Sequence, residues 1–124
     1  MGPSLVKALI DTNVLIDHTM GVPEASAELD RHNRIAISRI VWIEFLVGAK
    51  TPEIETRRRS LLNEFELLEV DHAVAAEAVR IRRSTRLRLA DSIILATARV
   101  HGLLLVTRNH RDFSADDPDI RIPY

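Results

Sequence analysis

Three carboxylates stand in apolar stretches that make a charge costly, and a fourth stands in a polar loop. Asp11 ends the apolar run Leu5-Val6-Lys7-Ala8-Leu9-Ile10, broken only by Lys7, which reads as a buried strand. Glu44 is set in Val41-Trp42-Ile43-Glu44-Phe45-Leu46-Val47, where its neighbours are apolar. Asp91 opens Ala90-Asp91-Ser92-Ile93-Ile94-Leu95-Ala96-Thr97-Ala98, again an acid in an apolar stretch. Asp112 falls in the polar loop Thr107-Arg108-Asn109-His110-Arg111-Asp112-Phe113. Each has a plain account by itself: a turn or cap for Asp11, a polar helix stripe for Glu44, a favourable helix N-terminus for Asp91 and an exposed loop for Asp112. Brought together, they would repel one another, and burial would raise their pKa values. A hard divalent cation such as Mg2+ or Mn2+ offsets that cost, because it prefers oxygen ligands. Such a site orients a water on a phosphodiester, lowers its pKa and neutralises the leaving oxygen. Zinc fits poorly, since the chain has no cysteine and its five histidines are scattered.

The elements that must bring these acids together alternate between strand and helix. Leu5 to Ile10 is the first expected strand, with Thr12 and Asn13 available to cap the helix that continues through Val14 to Met20. Gly21-Val22-Pro23 interrupts it, and Pro23 opens a second helix to about Asp30. Arg34 to Ser38 is a second strand, and Ser38 caps a helix over Arg39 to Val47 that stops at Gly48. A longer helix runs from Pro52 or Glu53 to about Phe65, followed by a third strand over Leu67 to Val70. Asp71 caps a helix through Arg83, Ser84 to Leu87 is a linker, and Ala90 to His101 is a helix ended by Gly102. Leu103 to Val106 is the clearest buried strand, and Asp119 to Ile122 is an edge strand between Pro118 and Pro123. Such alternation predicts a parallel sheet with helices on both faces. In that architecture every strand delivers its next loop to the same edge, so the four acid-bearing segments converge.

At 124 residues the chain is expected to form one domain, residues 1–124. Its 46% hydrophobic content suits a packed core rather than disorder. The lack of cysteine fits a reducing cytoplasm. No apolar run approaches the ~20 residues of a membrane span, and no secretory signal pattern occurs. The net charge of −1 conceals clusters: Arg57-Arg58-Arg59, and Arg80, Arg82, Arg83, Arg86 and Arg88 with no acid between them. Forked guanidinium groups suit phosphate, although each cluster also reads as a solvated helix face.

Taken in order, Ile10-Asp11-Thr12-Asn13-Val14-Leu15-Ile16-Asp17, the isolated Glu44, the Asp91 segment and Leu105 to Phe113 resemble the PIN-domain ribonucleases. Length and single-domain build resemble the VapC-type toxins of bacterial toxin–antitoxin pairs. Asp-Thr-Asn alone is a weak signal, but the ordered set is specific and spans nearly the whole chain.

The resemblance implies a three-layer α/β/α sandwich around a mainly parallel sheet, and Mg2+- or Mn2+-dependent endonucleolytic cleavage of RNA. Asp11, Glu44 and Asp91 match the family's three metal-binding acids. Its fourth acid often falls where this chain has Asn109. Members with Thr-Arg-Asn commonly carry an acid three residues on, which Asp112 matches. Either Asn109 or Asp112 would therefore complete the acidic rim, and one metal or two remain open. Thr12 and Thr107 match hydroxyls that line the site, and Phe113 matches a core aromatic. On this reading Asp11 and Asp91 hold the principal metal, and Glu44 ligates it or orients the attacking water. Arg86 and Arg88, just before Asp91, are the basic residues expected nearest to RNA, and equally readable as surface charges. Trp42 is expected in the core or at a dimer contact. The implied partners are a second copy of the chain and a cognate VapB-type antitoxin, whose tail fills the acidic groove with a basic side chain. Promoter DNA would be bound only through that antitoxin, and no membrane is involved.

Rival readings fare worse. A haloacid-dehalogenase-like phosphatase needs a second aspartate where the chain has Asn13, and a receiver domain needs a late lysine, absent after Lys50. No G-x-G-x-x-G or P-loop run supports nucleotide binding. The remaining alternative is a non-catalytic PIN-like module that binds RNA or a partner, for which only Asn109 speaks.

Overall fold

The structure is a computed structural model and describes residues 7–124. Leu5 and Val6, expected in the first strand, lie outside the described residues. Strand β1 (Lys7–Ile10) is followed by α1 (Thr12–Thr19), α2 (Pro23–Asp30), β2 (Arg34–Ser38), α3 (Arg39–Val47) and α4 (Pro52–Leu62). Then come β3 (Glu66–Leu68), α5 (His72–Ser84), α6 (Leu89–His101), β4 (Leu104–Val106) and β5 (Ile120–Arg121). The sheet order is β3-β2-β1-β4-β5, and all four neighbouring pairs are parallel. Central β1 pairs on both sides, with Leu9 opposite Ala36 and Leu105. Ala8, Leu9 and Ile10 are fully buried, as expected of a parallel strand covered on both faces.

Strand order fixes the layers and the site together. The chain steps outward from β1 to β2 to β3, then returns to place β4 on the other side of β1. Right-handed crossovers running in opposite directions lay their helices on opposite faces. Helix α3 accordingly packs on α1 and α4, while α5 packs on α6. The three-layer α/β/α sandwich expected from the sequence is the fold observed. The order reverses between β1 and β4, and the crevice beyond the carboxyl ends of such strands is where ligands bind in open α/β sheets.

Local chemistry explains most element ends. Ser38, Thr51 and Asp71 accept hydrogen bonds from the first-turn amides of α3, α4 and α5. Gly102 ends α6 at φ +65°, a left-handed conformation that costs glycine nothing. Among the boundaries that differ from expectation, three have a visible cause. Helix α1 begins at Thr12, capped by Asp11 rather than by Thr12 or Asn13, because both of those side chains are engaged across the site. Helix α4 ends at Leu62, not near Phe65. Its chain tightens through bonds from Glu64 N–H to Leu61 O and from Phe65 N–H to Leu62 O. That turn delivers Glu66, Leu67 and Leu68 opposite Ala36, Ile37 and Ser38, so β3 starts at Glu66 and stops before Val70.

Candidate active site

Asp11 sits at the end of β1 with its own N–H still bonded to Val106 O of β4 at 2.9 Å. Its side chain is buried (5% exposed) and held at both oxygens. Oδ1 accepts from Thr12 N–H at 2.8 Å, and Oδ2 accepts from the Thr107 hydroxyl at 2.7 Å. Burial pushes its carboxyl above the usual carboxylate range; these two hydrogen bonds oppose that, and the charge of Glu44 adds to it. Thr107 follows β4 directly, so the pair spans the β1–β4 reversal.

Glu44 reaches the same place from α3, where it is exposed despite its apolar neighbours in sequence. Its Oε1 accepts from the Thr12 hydroxyl at 2.7 Å. Asp91, in the first turn of α6, is half-buried. Its pKa is pushed up to about 6, first by burial and then by the charges of Asp11, Asp112 and Glu44, with Arg88 opposing. Four carboxylates from four separate segments therefore share one electrostatic site. Asp112 is held by Asn109: the Asn109 amide donates to Asp112 Oδ2 at 3.0 Å, and Asp112 N–H donates to Asn109 Oδ1 at 3.3 Å. Asn109 thus positions Asp112, one of the three carboxylates whose charge Asp91 feels.

As the side chains stand, no group of three histidine or acidic residues among the described residues is disposed to hold a metal ion. Asp11, Glu44 and Asp112 are each turned to a hydroxyl or amide donor, and the Asp91 carboxylate accepts no hydrogen bond among the described residues.

The basic residues divide. Arg58 donates to Phe45 O at 2.6 Å, at the carbonyl end of α3, and lies 4.5 Å from the Phe45 ring centroid. Arg59 bonds Glu55, and together with Arg39 it flanks Trp42, at 5.4 and 4.7 Å from the ring centroid. Half-buried Trp42 packs against the core between these cations. Arg80 is taken up by Glu77, and Arg82 by Leu87 O. Much of the arginine clustering is therefore structural. Arg88 faces Asp91 electrostatically, and Arg86 lines a groove that also contains Asp112. Phe113 is buried in the core, as expected.

Sequence reasoning passed over two supports. The Asn13 side chain accepts from Arg108 N–H at 3.1 Å and donates to the Thr107 hydroxyl at 3.4 Å, which pins the loop after β4. Asp17 receives Arg108 Nε at 2.8 Å and the Tyr124 hydroxyl at 2.9 Å. Both residues lie in the Asp-Thr-Asn segment, but their partners are about a hundred positions away and carry no local signal.

The family model for the PIN domain matches residues 8–116. Ribonuclease VapC19 of Mycobacterium tuberculosis is 34% identical, over 94% of this chain and 98% of its own. The tRNA(fMet)-specific endonuclease VapC of Shigella flexneri is 27% identical, over 88% and 91%. Among solved structures, a chain of a toxin–antitoxin complex from Klebsiella pneumoniae superposes with a TM-score of 0.88 at 42% identity, covering 94% of this chain and 98% of that one. A chain of DNA-bound VapBC from Salmonella typhimurium gives 0.77 at 26% identity, over 94% and 96%. With the acid-bearing segments in the family's order and the sheet reversal beneath them, this chain belongs to the PIN-domain family, among the VapC-type ribonucleases.

Proposed function

We propose that this protein is a divalent-metal-dependent endoribonuclease toxin of the VapC type, restrained by a cognate VapB-type antitoxin. The observation that carries the reading is the arrival of Asp11, Glu44, Asp91 and Asp112 from four separate segments beside the β1–β4 reversal, where half-buried Asp91 feels the charge of the other three. Such a cluster is costly alone and favourable around a hard cation. The donor set is entirely oxygen, which fits Mg2+ or Mn2+. Asp11, Glu44 and Asp91 would hold the ion. When bound, it supplies a Lewis acid that acidifies water and offsets charge on a phosphodiester.

The chain's own residues do the rest. Thr107 and the Thr12 amide fix the Asp11 carboxylate, so it is pre-oriented before substrate arrives. Thr12 occupies one oxygen of Glu44, leaving Oε2 to ligate the ion or accept a proton from the attacking water. Asn109 holds Asp112 on the acidic rim. Arg86 and Arg88 counter the repulsion between that rim and an approaching RNA phosphate.

Relatives named ribonuclease and endonuclease support the activity, and neighbours solved as toxin–antitoxin complexes, one of them DNA-bound, support the partners. We assign to this chain an RNA substrate, a homodimeric state, an antitoxin that fills the acidic groove, and promoter DNA binding only through that antitoxin. We place it in the cytoplasm; no helix among the described residues is long and apolar enough to cross a membrane.

The test is cleavage of RNA with Mg2+ or Mn2+ against EDTA, comparing the wild type with Asp11→Asn and Asp91→Asn. Cutting is expected only with metal and only by the wild type. Undiminished cutting by either variant refutes the assignment.

A further inference from the structure

Beside the acidic cluster runs a groove of about 430 Å³ that brings three arginines, Arg86, Arg99 and Arg111, together with two aspartates, Asp112 and Asp117, of which Arg99 and Asp117 are paired with each other. That volume is within the ~300–1,000 Å³ of small-molecule sites. Its polar wall is built from Arg86, Arg111, Thr85 and Ser114, and its floor from the apolar Leu87 and Phe113. Asp112 lines it too, and the charge of Asp112 also reaches Asp91. One carboxylate therefore forms the wall between the acid cluster and this groove.

Arginines in this fold are mostly engaged. Arg34, Arg39, Arg59, Arg80, Arg99, Arg108 and Arg121 all pair with acids. Arg86 and Arg111 are exposed and appear in no ion pair or side-chain hydrogen bond among the described residues. Two unengaged guanidinium groups converge on one groove from chain positions 25 apart, one in the linker before α6 and one in the loop after β4. Guanidinium forks of this kind match the oxygens of a phosphate. The apolar floor accepts the uncharged part of a nucleotide, and the two guanidinium groups outweigh the single charge of Asp112 for a bound phosphate.

We infer that the Arg86–Arg111 groove is a nucleotide subsite, which grips the phosphate next to the one being cut and seats its sugar and base over Leu87 and Phe113. This inference rests on the ribonuclease reading and deepens it by assigning the side on which single-stranded RNA leaves the acidic centre. Two guanidinium groups acting on a neighbouring phosphate contribute to binding substrate, so their loss falls on KM rather than kcat.

The experiment uses the full chain in two formats. One measures binding of a fluorescent single-stranded RNA to the cleavage-deficient Asp91→Asn background as a function of salt. The other measures steady-state cleavage kinetics in Mg2+. Arg86→Gln with Arg111→Gln is expected to weaken RNA binding at least tenfold and to reduce the salt slope by about 0.7, the value for one phosphate contact on a single strand. KM rises correspondingly. Arg57→Gln, which removes one positive charge from exposed α4, leaves both unchanged. An unaltered affinity and slope in the double variant overturns the subsite. So does an equal effect of Arg57→Gln, which would mean general charge, or a loss confined to antitoxin binding. If the wild type binds RNA through these arginines but cuts none, the ribonuclease reading fails and the subsite stands.

Discussion

Asp91→Asn should make the protein more stable without metal and less stable with it. The wild-type carboxyl is raised from 3.8 to about 6, so its ionised form is disfavoured in the folded state. The difference of about 2 units corresponds to about 3 kcal/mol at ~1.36 kcal/mol per unit. Asp91 is only half-buried, so solvent screening reduces this to about 1 kcal/mol. The sign follows from linkage. The folded state binds the proton more tightly, so folding loses stability as pH rises from about 4 to about 6 and stays penalised above. Asparagine removes the charge, and with it the penalty. In EDTA at pH 7.5, thermal unfolding of Asp91→Asn should therefore come about 4 °C above wild type, at ~4 °C per kcal/mol for a domain of this size. The gap should close as pH falls towards 4. Mg2+ at about a hundred times its Kd stabilises the wild type by about 2.7 kcal/mol. The variant, lacking a ligand, gains little, so the order inverts. An Asp91→Asn protein that melts below wild type in EDTA at pH 7.5 refutes the idea that these acids are held together at a cost.

Three further outcomes follow from the same geometry. Thr107→Val removes a buried hydroxyl from the Asp11 carboxylate and costs about 2 kcal/mol, as a hydrogen bond to a charged group does; denaturant unfolding and a drop of tenfold or more in RNA cleavage measure it. Glu28→Gln breaks the cluster in which the Glu28 carboxylate is bonded by Arg121 at 2.7 and 2.9 Å and by His32 Nε2 at 2.7 Å, so stability should fall by about 3 kcal/mol. Burial alone would raise the Glu28 carboxyl, but the bonds from Arg121 and His32 outweigh it and hold it low. Its contribution is therefore present at neutral pH and lost as pH falls through that lowered value, which acid titration of the Glu28→Gln difference tests. Gly102→Ala places a Cβ at φ +65° and should cost about 1 kcal/mol in denaturant unfolding while leaving RNA cleavage intact.

What the sequence by itself determined is everything that depends on near neighbours. Apolar runs marked β1, β2 and β4, because a strand buried on both faces needs no polar alternation. Ser38, Asp71 and Gly102 marked helix ends, because caps act within three residues. Acids inside apolar stretches flagged Asp11, Glu44 and Asp91; apolar flanks did mean burial for Asp11 and half-burial for Asp91, whereas Glu44 is exposed on α3. Contacts across the chain were decided only by the tertiary structure. The reversal of strand order beside β1 sets Thr107 against Asp11, 96 positions away, and gives Asp11 the cap that Thr12 and Asn13 looked suited to supply. Arg57 to Arg59 looked like Arg86 and Arg88 in sequence, yet Arg58 and Arg59 are used up on a helix end, an aromatic ring and a neighbouring acid. Composition counts charges, but only the fold settles which of them find partners, since pairing depends on distance through space rather than along the chain.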